Sequence, residues 1–287
     1  SIDMLNRCVC TECVLQKGSQ ISTLFIYDFK KHFQKQLLLN KCFCSVPFWY
    51  IVFLATFDAF GDMFFEMIET MPQGFRALVK ASGEYASEEM GYLAVGFREP
   101  IYLIIILSFV ITSSSSAIAK EIERGTIFLL LSRPVSRGEF FLAKLATTLI
   151  GTVLLLCFAM LGTWLGSIVF GVNDINYDLV FKIQINVLFM ALAVAGIAYL
   201  MSSVLSEGGK TLALSSGVTV LMFFIEFLSD SLPSIDWIGF ISVFHYYEPS
   251  IIVNSESLSW VNLSILIIVA FVGLILATIM FKRRDIP

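Results

Sequence analysis

Long apolar stretches alternate with short polar segments along most of this chain. An α-helix needs about 20 mostly apolar residues to cross the hydrocarbon core of a bilayer. Six stretches reach or approach that length, and the pattern predicts an all-α, polytopic membrane protein with six transmembrane helices. The predicted spans are residues 42–60, 101–119, 145–170, 181–205, 211–228 and 258–281.

Two further segments are neither plain loops nor spans. Residues 22–39 place apolar side chains on one side and lysines off it, which is typical of an amphipathic helix lying in the membrane interface. An ordinary juxtamembrane linker is the alternative. Residues 229–257 are too apolar for a solvent loop and too often broken by Pro and Gly for a span, so we predict short re-entrant or interfacial helices there. The chain then divides into an N-terminal cytoplasmic segment, 1–41, and a transmembrane domain, 42–287.

Composition and charge agree with a membrane location. Hydrophobic residues make up 57% of the 287 residues and charged residues only 15%, whereas soluble domains average about 25% charged. The net charge of −4 and the lack of a basic tract argue against a nucleic-acid partner. With the N-terminus inside, 15 of the 19 Lys and Arg residues fall on the cytoplasmic side. The positive-inside rule therefore predicts that both termini are cytoplasmic. We expect a multi-pass protein of the cell (plasma) membrane.

Several polar features of the chain admit a structural explanation. Five of the six cysteines lie in the first 44 residues, but their spacing matches no zinc pattern, so we predict free thiols and no metal site. Glu226 and Asp58 lie near predicted span ends, from which each is expected to reach water. Gly162 and Gly166 form a G-x-x-x-G pattern that permits close helix packing. The serines at 113–116 are expected to pack against a neighbouring helix.

The charged segment 120–144, between the second and third spans, carries strong local patterns. Gly125 tolerates left-handed dihedral angles and is predicted to end a polar extension of the second span. Thr126 can then cap a short apolar helix, which Pro134 ends because the residue before proline disfavours helix.

A capping box follows, with Ser136 and Glu139 in the S-x-x-E spacing that opens the helix leading into span three. The short apolar helix is flanked by Arg124, Arg133 and Arg137 and is predicted at the cytoplasmic surface. Local physics allows two interpretations, an interfacial loop or an element that docks on a partner protein.

The whole segment resembles the E-x-E-R-G-T-x-x-x-L-L-S-R-P-V-S-R-x-E-x-x-x-x-K pattern of ABC-2 type transporter permeases. The matching residues are Glu121, Glu123, Arg124, Gly125, Thr126, Leu130, Leu131, Ser132, Arg133, Pro134, Val135, Ser136, Arg137, Glu139 and Lys144. Two weaker likenesses follow: His245, Tyr246, Tyr247 and Pro249 before the last span, and Phe281, Lys282, Arg283, Arg284 and Asp285 at the end of the chain. The resemblance covers residues 22–287 and leaves the first 20 residues and the loop 62–99 unexplained.

This resemblance implies a specific assembly. In that family two six-span subunits pair, and each docks an ATP-binding subunit through a coupling helix between spans two and three. The implied partners are an ABC ATPase subunit, a second permease, either identical or related, and membrane lipid. ATP would be bound by the partner, so no cofactor is expected here. The residues implied to contact the ATPase are Glu121, Glu123, Arg124, Gly125, Thr126, Arg133, Pro134 and Arg137.

The chain itself shows no pattern of an enzyme. A phosphate-binding loop G-x-x-x-x-G-K-[ST] ending at Gly209, Lys210 and Thr211 would need glycine where Val204 stands. We therefore predict a transporter permease driven by a separate ATPase. The alternatives are a non-transporting scaffold or assembly subunit of an ABC-type complex and, ranked last, a secondary transporter or channel, for which matching broken helices in two halves are missing.

Overall fold

A computed structural model describes residues 41–70, 88–125, 136–172 and 175–284, and helices dominate these ranges, with no strand among them. The α-helices are α1 Lys41–Thr70, α2 Glu88–Arg98, α3 Pro100–Ser116, α4 Ala119–Glu123, α5 Arg137–Phe170, α6 Tyr177–Val204, α7 Gly208–Ser231, α8 Pro249–Ser255 and α9 Trp260–Arg283. Two 3₁₀ helices, Pro233–Ile241 and Val243–Tyr246, precede α8.

Four of the described helices, α5, α6, α7 and α9, are long and apolar enough to cross a membrane. Helices α2 and α3 meet at a bend of 44° and would supply a fifth span if the pair crosses as one. Within α1 the apolar stretch Cys44–Phe57 is shorter than these. The all-helical fold is thus confirmed, with four or five helices that could span a membrane, and the six-span count stays a prediction.

Helix α6 lies at the centre of the bundle and packs against α3, α5, α7 and α9. Its closest neighbour is α9, where Gly196 and Gly273 bring the two backbones together. A Cβ added to Gly273 would lie 2.9 Å from the carbonyl carbon of Gly196, so the contact has no room for a side chain. Small residues at such crossings let helices associate by close backbone packing inside a membrane.

Helix α1 packs against α5 through the predicted G-x-x-x-G pattern. A Cβ on Gly162 would lie 2.5 Å from the Cα atom of Pro47, and one on Gly166 would lie 2.6 Å from Cδ1 of Leu54. The close-packing role predicted for these two glycines is therefore confirmed.

Short helices do occupy the segment before the last span, as predicted, since both 3₁₀ helices and α8 lie there. The C-terminal part of α1 and helix α2 occupy the two ends of the loop 62–99, for which no structure was predicted from the sequence. The predicted amphipathic helix at 22–39 lies outside the described residues.

The two ends of the bundle differ in charge. At one end of the bundle α4 meets the start of α5, the end of α6, the start of α7 and the end of α9; we call it the basic end. Its described cations are Lys120, Arg124, Arg137, Lys144, Lys210, Lys282, Arg283 and Arg284. We call the other end the acidic end; its described anions are Glu89, Glu99, Asp178, Glu226, Asp230, Asp236, Glu248 and Glu256.

Candidate functional site

The segment predicted to contact an ATPase begins and ends at the basic end. Its first flank is α4, after which Gly125 takes the left-handed conformation with φ 68°, as predicted for a helix C-terminus. Its second flank is the start of α5. Thr126, Arg133 and Pro134 lie between the flanks, outside the described residues, so the short coupling helix predicted there stays a prediction.

Ser136 opens α5 through the predicted capping box. Its backbone N–H donates to Oε2 of Glu139 at 2.8 Å, and the N–H of Glu139 donates to the Ser136 hydroxyl at 3.3 Å. This reciprocal pair satisfies two backbone donors that the first turn leaves without helical partners. The capping box therefore fixes the residue at which α5 begins.

A buried serine holds the break between α3 and α4. At residues 117–118 the helix is interrupted, and the Ser202 hydroxyl of α6 accepts from the backbone N–H groups of Ile118 and Ala119 at 3.2 and 3.1 Å. The same hydroxyl donates to the Ser115 carbonyl at 2.9 Å. A side chain inserted into the backbone ladder is a common cause of such a kink. The polar extension predicted to continue α3 is instead a separate helix attached to α6.

Two carboxylates connect α4 to other helices. Oε1 of Glu121 lies 3.4 Å from Nζ of Lys144 on α5, and the Lys144 side chain is only 2% exposed. Oε2 of Glu123 accepts from the backbone N–H of Gly208 at 2.9 Å. Since Gly208 is the first residue of α7, this carboxylate lies at the positive end of that helix dipole.

Two arginines bind the carbonyl ends of helices other than their own. Arg137 donates from Nη1 to the carbonyls of Lys282 and Arg284, at 3.3 and 2.6 Å, where α9 ends. Arg284 donates from Nη1 to the carbonyls of Ser203 and Leu205, at 2.9 and 3.0 Å, where α6 ends. Burial lowers the pKa of the Arg284 guanidinium from its ordinary value, but arginine remains charged at neutral pH. Cations at these positions are favoured by the negative end of each helix dipole.

The flanks of the segment are thus joined to every long apolar helix of the basic end. Glu121, Glu123 and Arg137 take part directly, and Gly125 shapes the exit of the chain. Arg124 is exposed. Sequence reasoning missed Ser202 altogether, because a lone serine near the end of an apolar span carries no local pattern. It found Lys144 and Arg284 only as matches to a family pattern, without their contacts.

At the acidic end, an ionic cluster around the buried Glu226 joins three separate segments. Nη2 of Arg98 lies 3.8 Å from Glu226 and 3.5 Å from Asp230, both on α7. Nδ1 of His245 lies 3.2 Å from Oε2 of Glu226. The Tyr247 hydroxyl donates to the carbonyl of Phe97 at 2.8 Å, and Arg98 donates back to the Tyr247 carbonyl.

Glu226 is 2% exposed, so the expectation that it reaches water is wrong. It is covered because Arg98 and His245, both distant in sequence, fold over it. The side chain of Asp58 lies outside the described residues.

Polar side chains also meet inside the bundle. The Ser113 hydroxyl lies 2.9 Å from that of Thr148, which lies 2.8 Å from the Tyr199 hydroxyl. This chain connects α3, α5 and α6, so the packing role predicted for the serines is confirmed for Ser113. Between α3 and α7 lies a mostly apolar groove of about 360 Å³, lined by Leu107 and Phe223 among others.

No group of metal-binding side chains occurs in the described part of the chain. Cys44 and Cys157 are free there and exposed. The cluster of cysteines before residue 41 lies outside it.

The fold and its charged end define a class: a polytopic helical membrane protein whose polar segment between two apolar helices is tied to the rest of the bundle. The model of the ABC-2 family transporter proteins matches residues 43–286, and the chain belongs to that family. It is also similar to the uncharacterized protein YhcI of Bacillus subtilis (strain 168), with 28% identity over 214 residues. That match covers 64% of this chain and 66% of the relative, just under two thirds of its length.

Proposed function

We propose that the chain is the permease subunit of an ABC exporter, with six spans, both termini cytoplasmic, and the basic end facing the cytoplasm of a plasma-membrane protein. It pairs with a second permease, identical or related. Each permease docks a separate ABC ATPase, which binds the ATP. Substrate crosses the membrane as the paired permeases change shape.

One observation carries this proposal beyond membership of the family. The flanks of the 121–137 segment are bonded to the ends of other helices. Glu123 bonds the start of α7, and Arg137 bonds the end of α9. Ser202, near the end of α6, bonds the break that precedes α4. A force applied to the segment by a partner would therefore reach α5, α6, α7 and α9 together. This is what a transmission element requires, since packed helices shift as units.

The contact surface we propose for the ATPase comprises Glu121, Glu123, Arg124, Gly125, Thr126, Arg133, Pro134 and Arg137. Arg124 suits a direct contact best among the described members, because it is exposed and follows the end of α4. Glu121, Glu123 and Arg137 already bond within the bundle, so we propose that they transmit motion from the surface.

Co-purification tests the docking. The full chain is tagged, extracted from its native membrane in mild detergent, and its partners are identified by mass spectrometry. We expect an ATP-binding cassette protein with the wild type and at least a tenfold loss with Arg124→Glu, since breaking an interfacial charge pair costs about 2 kcal/mol or more. Lys210→Glu is the matched control, because it makes the same charge change at an exposed residue of the same end.

Absence of any ATPase from the wild-type complex would refute the docking proposal. Equal losses for both variants would refute the assigned contact surface. Transport is tested separately in proteoliposomes containing the purified complex. If no candidate substrate stimulates ATP hydrolysis or moves across the bilayer while the ATPase stays bound, the chain is a non-transporting scaffold instead.

A further inference from the structure

A narrow groove runs along the outside of the bundle between α5 and α9, near the basic end. Its volume is about 360 Å³, and its wall is almost wholly apolar. The exposed side chains of Leu142, Phe271 and Ile275 form part of it, at 63%, 62% and 55% exposure, so the groove faces away from the bundle. In a membrane protein such a surface faces lipid.

A cation lies at one end of this groove. Lys282 belongs to its lining, and its side chain lies along Gly138 of α5. A Cβ on that glycine would be 3.6 Å from Cε and 3.9 Å from Nζ of the lysine. Arg283 follows and is exposed. Within the described part of the chain, neither Lys282 nor Arg283 has a carboxylate within 4.0 Å.

The length and lining of the groove indicate its occupant. The rise from Phe271 to Lys282 is about 16 Å at 1.5 Å per residue. An apolar groove of that length with a cation at one end matches an extended hydrocarbon chain that carries an anionic headgroup.

We propose that this groove binds one acyl chain of an anionic phospholipid, with the phosphate group on Lys282 and Arg283. Basic pockets between membrane helices recognise anionic headgroups, and each Lys or Arg near such a surface contributes about a fivefold increase in affinity. The site joins the start of α5 to the end of α9, the same helices that Arg137 connects. The proposal does not depend on the transport function or on the identity of the ATPase.

Native mass spectrometry of the purified full chain tests this site. The protein is titrated with dioleoyl phosphatidylglycerol or dioleoyl phosphatidylcholine, and the affinity of the first bound lipid is measured. We expect phosphatidylglycerol to bind at least fivefold more tightly. Lys282→Gln should lower the affinity ratio between the two lipids about fivefold. Lys210→Gln, an exposed lysine at the same end and outside the groove, should leave it unchanged.

A second pair of variants tests the acyl-chain part. Ile279→Trp fills the groove and should abolish the first tight binding event, whereas Leu276→Trp, on the same helix but not in the lining, should not. Equal affinity for the two lipids, equal effects of the two lysine variants, or tight binding that survives Ile279→Trp would each overturn the proposal. So would a dimer that Ile279→Trp dissociates, because a second copy would then cover the groove.

Discussion

At the acidic end Arg98 faces the carboxylates of Glu226 and Asp230, whereas at the basic end Arg137 and Arg284 bind backbone carbonyls. Both ends are polar and both join distant segments, but their chemistry differs. The acidic end has a cluster of several charges around the buried Glu226. The basic end has one buried ion pair, between Glu121 and Lys144, and in addition charges placed at the termini of neighbouring helices.

This difference has a mechanical consequence. An ionic cluster holds side chains together and is sensitive to the loss of any member, because the remaining charge is left buried. A charge bound to a helix terminus holds the backbone itself, so that one helix end follows another. Under the proposed function, the bonds at the basic end would pass on movement, whereas the cluster at the acidic end would resist separation of α2, α7 and the second 3₁₀ helix.

The largest effect is expected from Arg98→Met at the acidic end. It removes the guanidinium that lies 3.8 Å from the buried Glu226, and breaking a buried ion pair costs about 3 kcal/mol or more of unfolding free energy. Denaturant titration in mixed micelles measures this. The double variant Arg98→Met/Glu226→Met should recover at least half of the loss.

Lys182→Met is the control for that experiment, since Lys182 pairs with the exposed Asp178 at the same end. A loss for Arg98→Met no larger than that of Lys182→Met would show that the cluster does not hold the acidic end together.

The next effect is expected from Ser202→Ala at the basic end. The substitution leaves the buried N–H groups of Ile118 and Ala119 without their acceptor, which costs about 2 kcal/mol. Ser203→Ala is a matched control, because Ser203 is equally buried and bonds only the Leu200 carbonyl of its own helix among the contacts seen. Hydrogen exchange of residues 117–125 should rise for Ser202→Ala alone. Equal exchange in both variants would contradict the role given to Ser202.

Sequence patterns predicted what depends on neighbours in the chain. The left-handed Gly125, the capping box of Ser136 and Glu139, and the close packing at Gly162 and Gly166 all follow from residues a few positions apart. The short helices before α9 follow from local Pro and Gly positions. The cap, the left-handed glycine and the helix breaks follow from local conformational preferences, whereas the G-x-x-x-G pattern predicts close packing without indicating the partner helix.

Contacts between distant residues escaped prediction. Ser202 and Ile118 are 84 positions apart, and nothing near either residue indicates the other. The burial of Glu226 depends on Arg98 and His245 in the same way, so its position near a span end pointed wrongly to water. For the candidate site, the sequence indicated which residues are unusual, but the helices that each one binds depend on the folded bundle.

A smaller loss of stability is expected from alanine at one left-handed glycine of each end, and ATP hydrolysis should distinguish the two variants. Gly125 and Gly171 both have positive φ, 68° and 69°, with nothing within 4 Å of an added Cβ. Alanine at either position should therefore cost about 1 kcal/mol from backbone strain alone. Under the proposed function, only Gly125→Ala should also lower substrate-stimulated ATP hydrolysis by the purified complex. Equal hydrolysis in both variants would argue against Gly125 as part of the coupling segment.

The smallest effect is expected for the ion pair nearest the surface at each end. Lys210 lies 2.8 Å from Glu207 at the basic end, and Lys182 lies 2.6 Å from Asp178 at the acidic end. Exposed pairs contribute about 0.5 kcal/mol or less, so Lys210→Met should change the unfolding free energy little. Lys182→Met should cost slightly more, because Lys182 is partly buried and also donates to the Glu256 carbonyl at 2.9 Å. Raising the salt concentration should reduce even this contribution, because exposed charges are screened. A large loss of unfolding free energy from either variant would contradict this comparison, because surface charge would then distinguish the two ends in place of burial or bonding to helix ends.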